Sequence, residues 1–167
     1  MSFVTLDFET YYAKDFSLTR LTTEEYIRDP RFEVIGVGMK IDDDETQWFS
    51  GTHAEIKAWL NQVDWDTSAL LCHNTQFDGA ILAWTFDIIP AYYFDTLCMA
   101  RAKHGVDAGG SLAKLVERYQ LGTKGTEVLD ALGKKRLDFS KEELERYASY
   151  CINDVDLTAF SLRCIYV

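Results

Sequence analysis

Apolar and polar residues alternate at the start of the chain. In FVTLDF, residues 3–8, Val4, Leu6 and Phe8 fall on one face and Phe3, Thr5 and Asp7 on the other, the period of a half-buried strand. Residues 11–31 are polar and irregular, with a short helical stretch in TTEEYIRD that Pro30 ends. EVIGVGMK (33–40) and ETQWFS (45–50), split by the acidic turn IDDD, predict a hairpin. Thr52 and Glu55 form a capping-box pair ahead of a helical stripe of Ile56, Trp59, Leu60 and Val63. SALLCH (68–73) reads as a short buried strand, followed by a helix from about Phe77 to Phe86. YYFDTLCMARAKHG reads as a strand entering a helix, with Asp95 or Thr96 at the N-cap. After the break at Gly109–Gly110, Ser111 caps an amphipathic helix that runs to Gly122. A short helix is predicted over 126–134, and a second capping box, Ser140 with Glu143, opens a long helix from about 141 to 163. An antiparallel meander continued by βα units predicts an α/β fold, a mixed sheet flanked by helices, in a single domain spanning residues 1–167.

Composition changes this picture little. The formal charge of −10 argues against a high-affinity duplex binder, but it leaves open an enzyme that meets nucleic acid through divalent cations. The chain has no apolar run long enough to span a membrane and no basic segment followed by an apolar core at its N-terminus, so neither a membrane nor a secretory signal is expected and a cytoplasmic setting is. Cys72, Cys98, Cys151 and Cys164 form no C-x-x-C pair, and with three scattered histidines they give no zinc spacing; reduced, mostly buried thiols are expected. Lys134, Lys135 and Arg136 are the one basic cluster and read as a solvated helix end, with contact to a DNA backbone as the minor alternative. The fragment GVG at 36–38 lacks the spacing of a dinucleotide motif and reads as strand glycine.

Three short stretches carry candidate chemistry. Asp7 and Glu9 are i and i+2 on a strand, on the same face and about 6.5–7 Å apart along it, so both can reach one cation. Alone, the pair is equally an ordinary solvent-facing strand end. In HNTQFD (73–78), Asp78 falls near the start of a helix, where the helix dipole by itself favours an acid, and Asn74 suits a turn. In YCIND (150–154), Tyr150 and Asp154 are i and i+4 and share a helical face, whereas Asp156 lies about 200° from Asp154 and faces elsewhere. Tyr147 lies near the same stripe as Tyr150 and competes with it.

In this order, D-x-E, N-x-x-F-D and Y-x-x-x-D resemble the three motifs of the tyrosine-containing (DEDDy) branch of the DEDD exonucleases. DFETYY, DPRFEVIGVGMK, DTLCMARAKHG, GGSLAKLVERYQLGTKG and YCINDVDLT look like the 3′–5′ proofreading exonuclease domain of family A DNA polymerases, those of phage type in particular. A histidine-type relative would carry H-x-x-x-x-D as its third motif; only His73 has that spacing, to Asp78, and it lies in the second. The resemblance implies an RNase H-like fold with a five-stranded mixed sheet flanked by helices. It implies that Asp7, Glu9 and Asp154 bind one divalent ion, that Asp7 bridges to a second, and that Asp78 holds this second ion partly through water. Tyr150 would orient the attacking water, Thr10 and Asn74 would touch the terminal nucleotide, Phe77 would fill the aromatic slot before Asp78, and Leu18 is the candidate wedge against the terminal base. The implied reaction is removal of nucleoside 5′-monophosphates from single-stranded DNA 3′ ends with two Mg²⁺ or Mn²⁺ ions, with a polymerase domain in cis or in trans as partner and, for a phage protein, the host cytoplasm as the setting.

Elementary chemistry agrees with these roles. Carboxylates converging in one cleft repel one another unless cations are present. A phenol with a pKa near 10 is a poor base at neutral pH, which favours water positioning for Tyr150. Two other readings carry the same motifs: an RNA-directed DEDD exonuclease, and a non-catalytic binding or scaffold module of the same fold.

Overall fold

The computed structural model of the chain describes residues 1–125 and 131–166. The alternating N-terminal stretch is strand β1, Phe3–Thr10, two residues longer than its pattern predicts. The hairpin forms as β2, Val34–Ile41, and a shorter β3, Gln47–Phe49. Strands β4, Ala69–Cys72, and β5, Tyr92–Asp95, complete one sheet in the order β3-β2-β1-β4-β5. The β1, β2 and β3 pairings are antiparallel, and β4 lies parallel to β1 and to β5.

Helices cover both faces. Helix α1, Thr23–Arg28, and helix α2, His53–Leu60, each start at a capping box, Thr22 with Glu25 and Thr52 with Glu55. With α3, Thr75–Phe86, they close the main core, in which Tyr26, Ile56, Leu60, Ile81 and Phe86 pack on Val4, Leu6 and Phe8 of β1. The opposite face carries α4, Thr96–His104, α5, Leu112–Tyr119, and the 26-residue α6, Lys141–Tyr166. Helix α6 crosses β2 and β1, and Ser140 and Glu143 cap its start reciprocally, as predicted.

Several boundaries differ from the pattern. Helix α3 begins at Thr75 rather than Phe77, because Asn74 turns the chain in the left-handed region and the Asp95 carboxylate accepts from the Asn74 and Thr75 N–H groups. Helix α5 ends at Tyr119, where Gln120 takes the left-handed conformation expected of Gly122 and the Leu121 N–H reaches back to Val116. Helix α6 runs to Tyr166, three residues further than expected. The short helix predicted over 126–134 lies largely outside the described residues.

Two corrections concern the surface. Cys72 and Cys151 are buried, but Cys98 is exposed at the start of α4 and Cys164 is half-buried, so the thiols divide evenly between interior and surface. The basic cluster does stand at a helix end, Lys135 and Arg136 opening a short 3-10 helix, Arg136–Asp138, but it is not simply solvated: Lys134 pairs with Glu143 at 2.6 Å, Lys135 with Glu33 at 3.8 Å, and the Arg136 N–H donates to Glu33. Among the described residues, no helix is long and apolar enough to cross a membrane.

The two glycines of GVG do more than occupy a strand. Gly38 is the cross-strand partner of Asp7, and Gly36 that of Glu9, on the face that α6 covers. A Cβ on Gly38 would lie 2.9 Å from both Cys151 Sγ and Val155 Cγ2, and one on Gly36 would enter the Trp48 ring. The missing side chain at Gly38 lets α6 come close to Asp7, and the one missing at Gly36 makes room for the Trp48 ring.

Candidate active site

Strand β1 pairs with β4 only through Thr5, so its second half runs on alone along that edge. Asp7 and Glu9 project from this overrun toward α6, and Phe8 presents an N–H on the uncovered edge. That N–H donates to Asp78 Oδ1 at 3.0 Å, which brings the first turn of α3 to the end of β1. Across the site, α6 places Cys151 and Asp154 over the strand: the Cys151 thiol donates to Asp7 Oδ2 at 3.6 Å and to the Asp7 carbonyl at 3.4 Å. Asp7, Glu9 and Cys151 each offer a ligand atom within 4.8 Å of the others.

The four acids come from three distant segments and sit in little solvent. Glu9, Asp78 and Asp154 are 7%, 3% and 6% exposed, and Asp7 is partly open to a cleft. Burial, reinforced by Asp154, pushes the Asp7 carboxyl up to about 7. Burial, then Asp7, pushes Glu9 and Asp78 well above the usual carboxylate range. Such mutual repulsion is what a bound cation relieves.

Both tyrosines of the α6 stripe take part. The buried Tyr147 hydroxyl donates to Glu9 and its ring stacks on Phe139 and Tyr150. The Tyr150 hydroxyl donates to Asp154 and accepts from Lys124 Nζ at 2.9 Å. Burial, reinforced by Asp154, holds the Tyr150 phenol far above its ordinary value, so it remains protonated and cannot serve as a base. Asp156 faces away, as its helical angle predicts: it accepts from Thr46 at 2.6 Å and pairs with Lys40 at 3.2 Å.

Two openings flank the acids. A pocket of about 290 Å³ opens on Glu9 and is lined by Thr10, Tyr12, Leu18, Phe77 and Tyr147. A larger cleft of about 580 Å³ opens on Asp7 and Asp154 and is walled by Asn74, Arg101, Lys124 and Thr158. Thr10, Phe77 and Leu18 therefore come together beside Glu9, whereas Asn74 lies across the acids in the other cleft. The Thr10 hydroxyl is 3.0 Å from that of Tyr26, so its position is fixed by the core.

Sequence reasoning missed several residues here. Lys124 reaches the site from the segment between α5 and α6, and its Nζ pairs with Asp154 Oδ2. Asp95, expected only as a helix cap, accepts from Leu97 and Cys98 of α4 and also holds the turn that carries Asn74. Cys151 had a usable signal: it follows Tyr150 and is one helical turn before Val155, the other α6 residue over Gly38.

The donor set suits a hard divalent cation. All four acids offer oxygen, and Asp154 Oδ1 is buried with no hydrogen-bond partner, an orphaned acceptor of the kind a bound ion satisfies. The Cys151 thiol is held neutral, by burial first and Asp7 second, and acts as a donor to Asp7.

The fold is the RNase H-like one. The chain is similar to Brucella melitensis NrnC, with a TM-score of 0.68 at 15% identity over 98% of this chain and 72% of that one. It is also similar to a structure described as the apo form of the nuclease, with a TM-score of 0.64 at 18% identity over 97% and 70% of the two chains. No curated protein matches the sequence. Residues 52–162 match the 3′–5′ exonuclease family of the DNA polymerase A class; the match includes Asn74, Phe77, Asp78, Tyr150 and Asp154, and β1 brings Asp7 and Glu9 to them from outside it. Two thirds of the chain thus carries the family's sequence and the whole of it the fold: the chain belongs to the 3′–5′ exonuclease family.

Proposed function

We propose that residues 1–167 act as a single exonuclease domain that hydrolyses the terminal phosphodiester bond at single-stranded DNA 3′ ends and releases nucleoside 5′-monophosphates. One observation carries this reading: Asp7, Glu9, Asp78 and Asp154 meet from three segments, with the buried Asp154 Oδ1 unpartnered. In it, Asp7, Glu9 and Asp154 would hold one divalent ion and Asp78, with Asp7, a second, Mg²⁺ or Mn²⁺ in each case. Bound there, the ions supply charge neutralisation at the phosphate and a water acidic enough to attack near neutral pH.

The protein's own groups do the rest. Tyr150 stays a protonated phenol and positions the attacking water by hydrogen bonding. Tyr147 fixes Glu9, and the Phe8 N–H fixes Asp78, so neither acid has to reorganise when substrate arrives. The pocket beside Glu9 has an aromatic and an aliphatic wall, Phe77 and Leu18, and suits one unstacked base; Thr10 also lines it. Asn74 stands on the far side of the acids, where the rest of the strand would run. A pocket suited to one unstacked base favours a frayed end over a paired one, and a polymerase domain in cis or in trans would be a source of frayed ends.

The test is parallel digestion of 5′-labelled single-stranded DNA, blunt duplex and single-stranded RNA of one sequence, with Mg²⁺, with Mn²⁺ and with EDTA. Stepwise shortening of the single-stranded DNA from its 3′ end, dependent on the ion, is expected. Faster shortening of the RNA would move the substrate assignment to RNA, and cleavage that persists in EDTA would remove the metal site.

A further inference from the structure

Lys124 lies outside the three acidic motifs, in the segment GGSLAKLVERYQLGTKG. Its Nζ pairs with Asp154 Oδ2, donates to the Tyr150 hydroxyl at 2.9 Å, and lies 4.8 Å from the centre of the Tyr150 ring. Among the described residues, no other basic side chain pairs with any of the four acids. The lysine sits in a stretch without regular structure, fastened one residue earlier, where Asn153 Nδ2 on α6 donates to the Thr123 carbonyl at 3.2 Å. Its side chain lines the 580 Å³ cleft and is 26% exposed, against 9% for that of Asp154. The ammonium therefore has a way out that the carboxylate does not.

An ammonium is a compact cation with three donors and no acceptor. In its present place it neutralises part of the charge that the crowded acids carry. A divalent ion ligated by Asp154 brings twice that charge to the same carboxylate, and two cations sharing one buried carboxylate repel each other strongly. We propose that Lys124 is a displaceable counter-ion: it occupies the cation position on Asp154 in the metal-free protein, and a divalent ion binds there only as the ammonium swings into the cleft. The pairing keeps Asp154 and Tyr150 in register while the site waits for metal, and the exchange lowers the apparent metal affinity. The free ammonium then stands in the cleft that would receive the strand. This inference rests on the reading of Asp154 as a metal ligand.

Three measurements test it without using activity. Calorimetric titration with Mn²⁺ should give Lys124→Met a Kd about tenfold lower than wild type, the scale set by removing one competing unit charge from a buried site. Lys124→Arg, which keeps the charge, should stay near wild type. In EDTA, Lys124→Met should melt below wild type, and saturating Mn²⁺ should close that gap. In the wild-type protein, acetylation of Lys124 by an amine-reactive ester, read by mass spectrometry, should accelerate when Mn²⁺ is added. An unchanged or weaker Mn²⁺ Kd in Lys124→Met, a melting gap that persists in saturating Mn²⁺, or an acetylation rate indifferent to Mn²⁺ would each make Lys124 a fixed tether and overturn the exchange. A wild-type protein that binds no Mn²⁺ would overturn the metal-site reading and the exchange together.

Discussion

Replacing Asp7 by Asn should stabilise the metal-free protein while abolishing hydrolysis. Burial and Asp154 raise the Asp7 carboxyl from its ordinary 3.8 to about 7. A group raised in this way contributes stability that is complete below its unfolded value and is lost as pH rises through the folded one. Across the interval from 3.8 to about 7, at ~1.36 kcal/mol per decade of proton affinity, the charged form costs at most ~4 kcal/mol at pH 8. Asp7 is partly open to the cleft, which reduces the figure to ~2–4 kcal/mol. The asparagine keeps an acceptor for Cys151 but no charge, and it also eases the repulsion on Glu9 and Asp78. Urea unfolding of both proteins in EDTA, at pH 4 and pH 8, measures the effect. Taking the difference between the proteins cancels the opposing contribution of His73, whose ring burial holds down to about 4. The expected result is a small difference at pH 4, the variant more stable by ~2–4 kcal/mol at pH 8, and loss of this advantage when Mn²⁺ is added. Equal stability at pH 8, or a wild type more stable than the variant, would refute the claim that these acids are crowded in the absence of metal.

Two further substitutions probe the site from α6 and from β2. Tyr150→Phe should lower kcat about 100-fold by loosening the attacking water while leaving the calorimetric Mn²⁺ affinity unchanged; unaltered turnover would remove Tyr150 from the chemistry. Gly38→Ala would set a Cβ 2.9 Å from Cys151 and Val155, so it should cost ~1–3 kcal/mol in urea unfolding and reduce turnover by moving α6 off Asp7; a silent Ala would show that the close approach is not needed.

Much of this was legible in the sequence, for reasons that differ by residue. Period and local chemistry located every strand and all the capping boxes named in advance, because a strand's alternation and a Thr or Ser with Glu three residues on are local signals. The four acids were legible from the resemblance and from spacing: i, i+2 on a strand fixes Asp7 with Glu9, and i, i+4 on a helix fixes Asp154 with Tyr150. Helical period could not separate Tyr147 from Tyr150, since both lie on one stripe; the distinction depends on which hydroxyl meets Glu9 and which meets Asp154. Lys124 and Asp95 were illegible because their partners lie 30 and 21 residues away. The two openings are likewise products of tertiary packing: Leu18 and Phe77 share a pocket through the seating of α3 beside β1, and no local pattern encodes that.

The most direct test of the central claim is an anomalous difference map from a crystal soaked in Mn²⁺. The account predicts a manganese peak enclosed by Asp7, Glu9 and Asp154, with carboxylate oxygens at about 2.1–2.2 Å, including the now unpartnered Asp154 Oδ1. A map with strong manganese peaks elsewhere and none among these acids would contradict it.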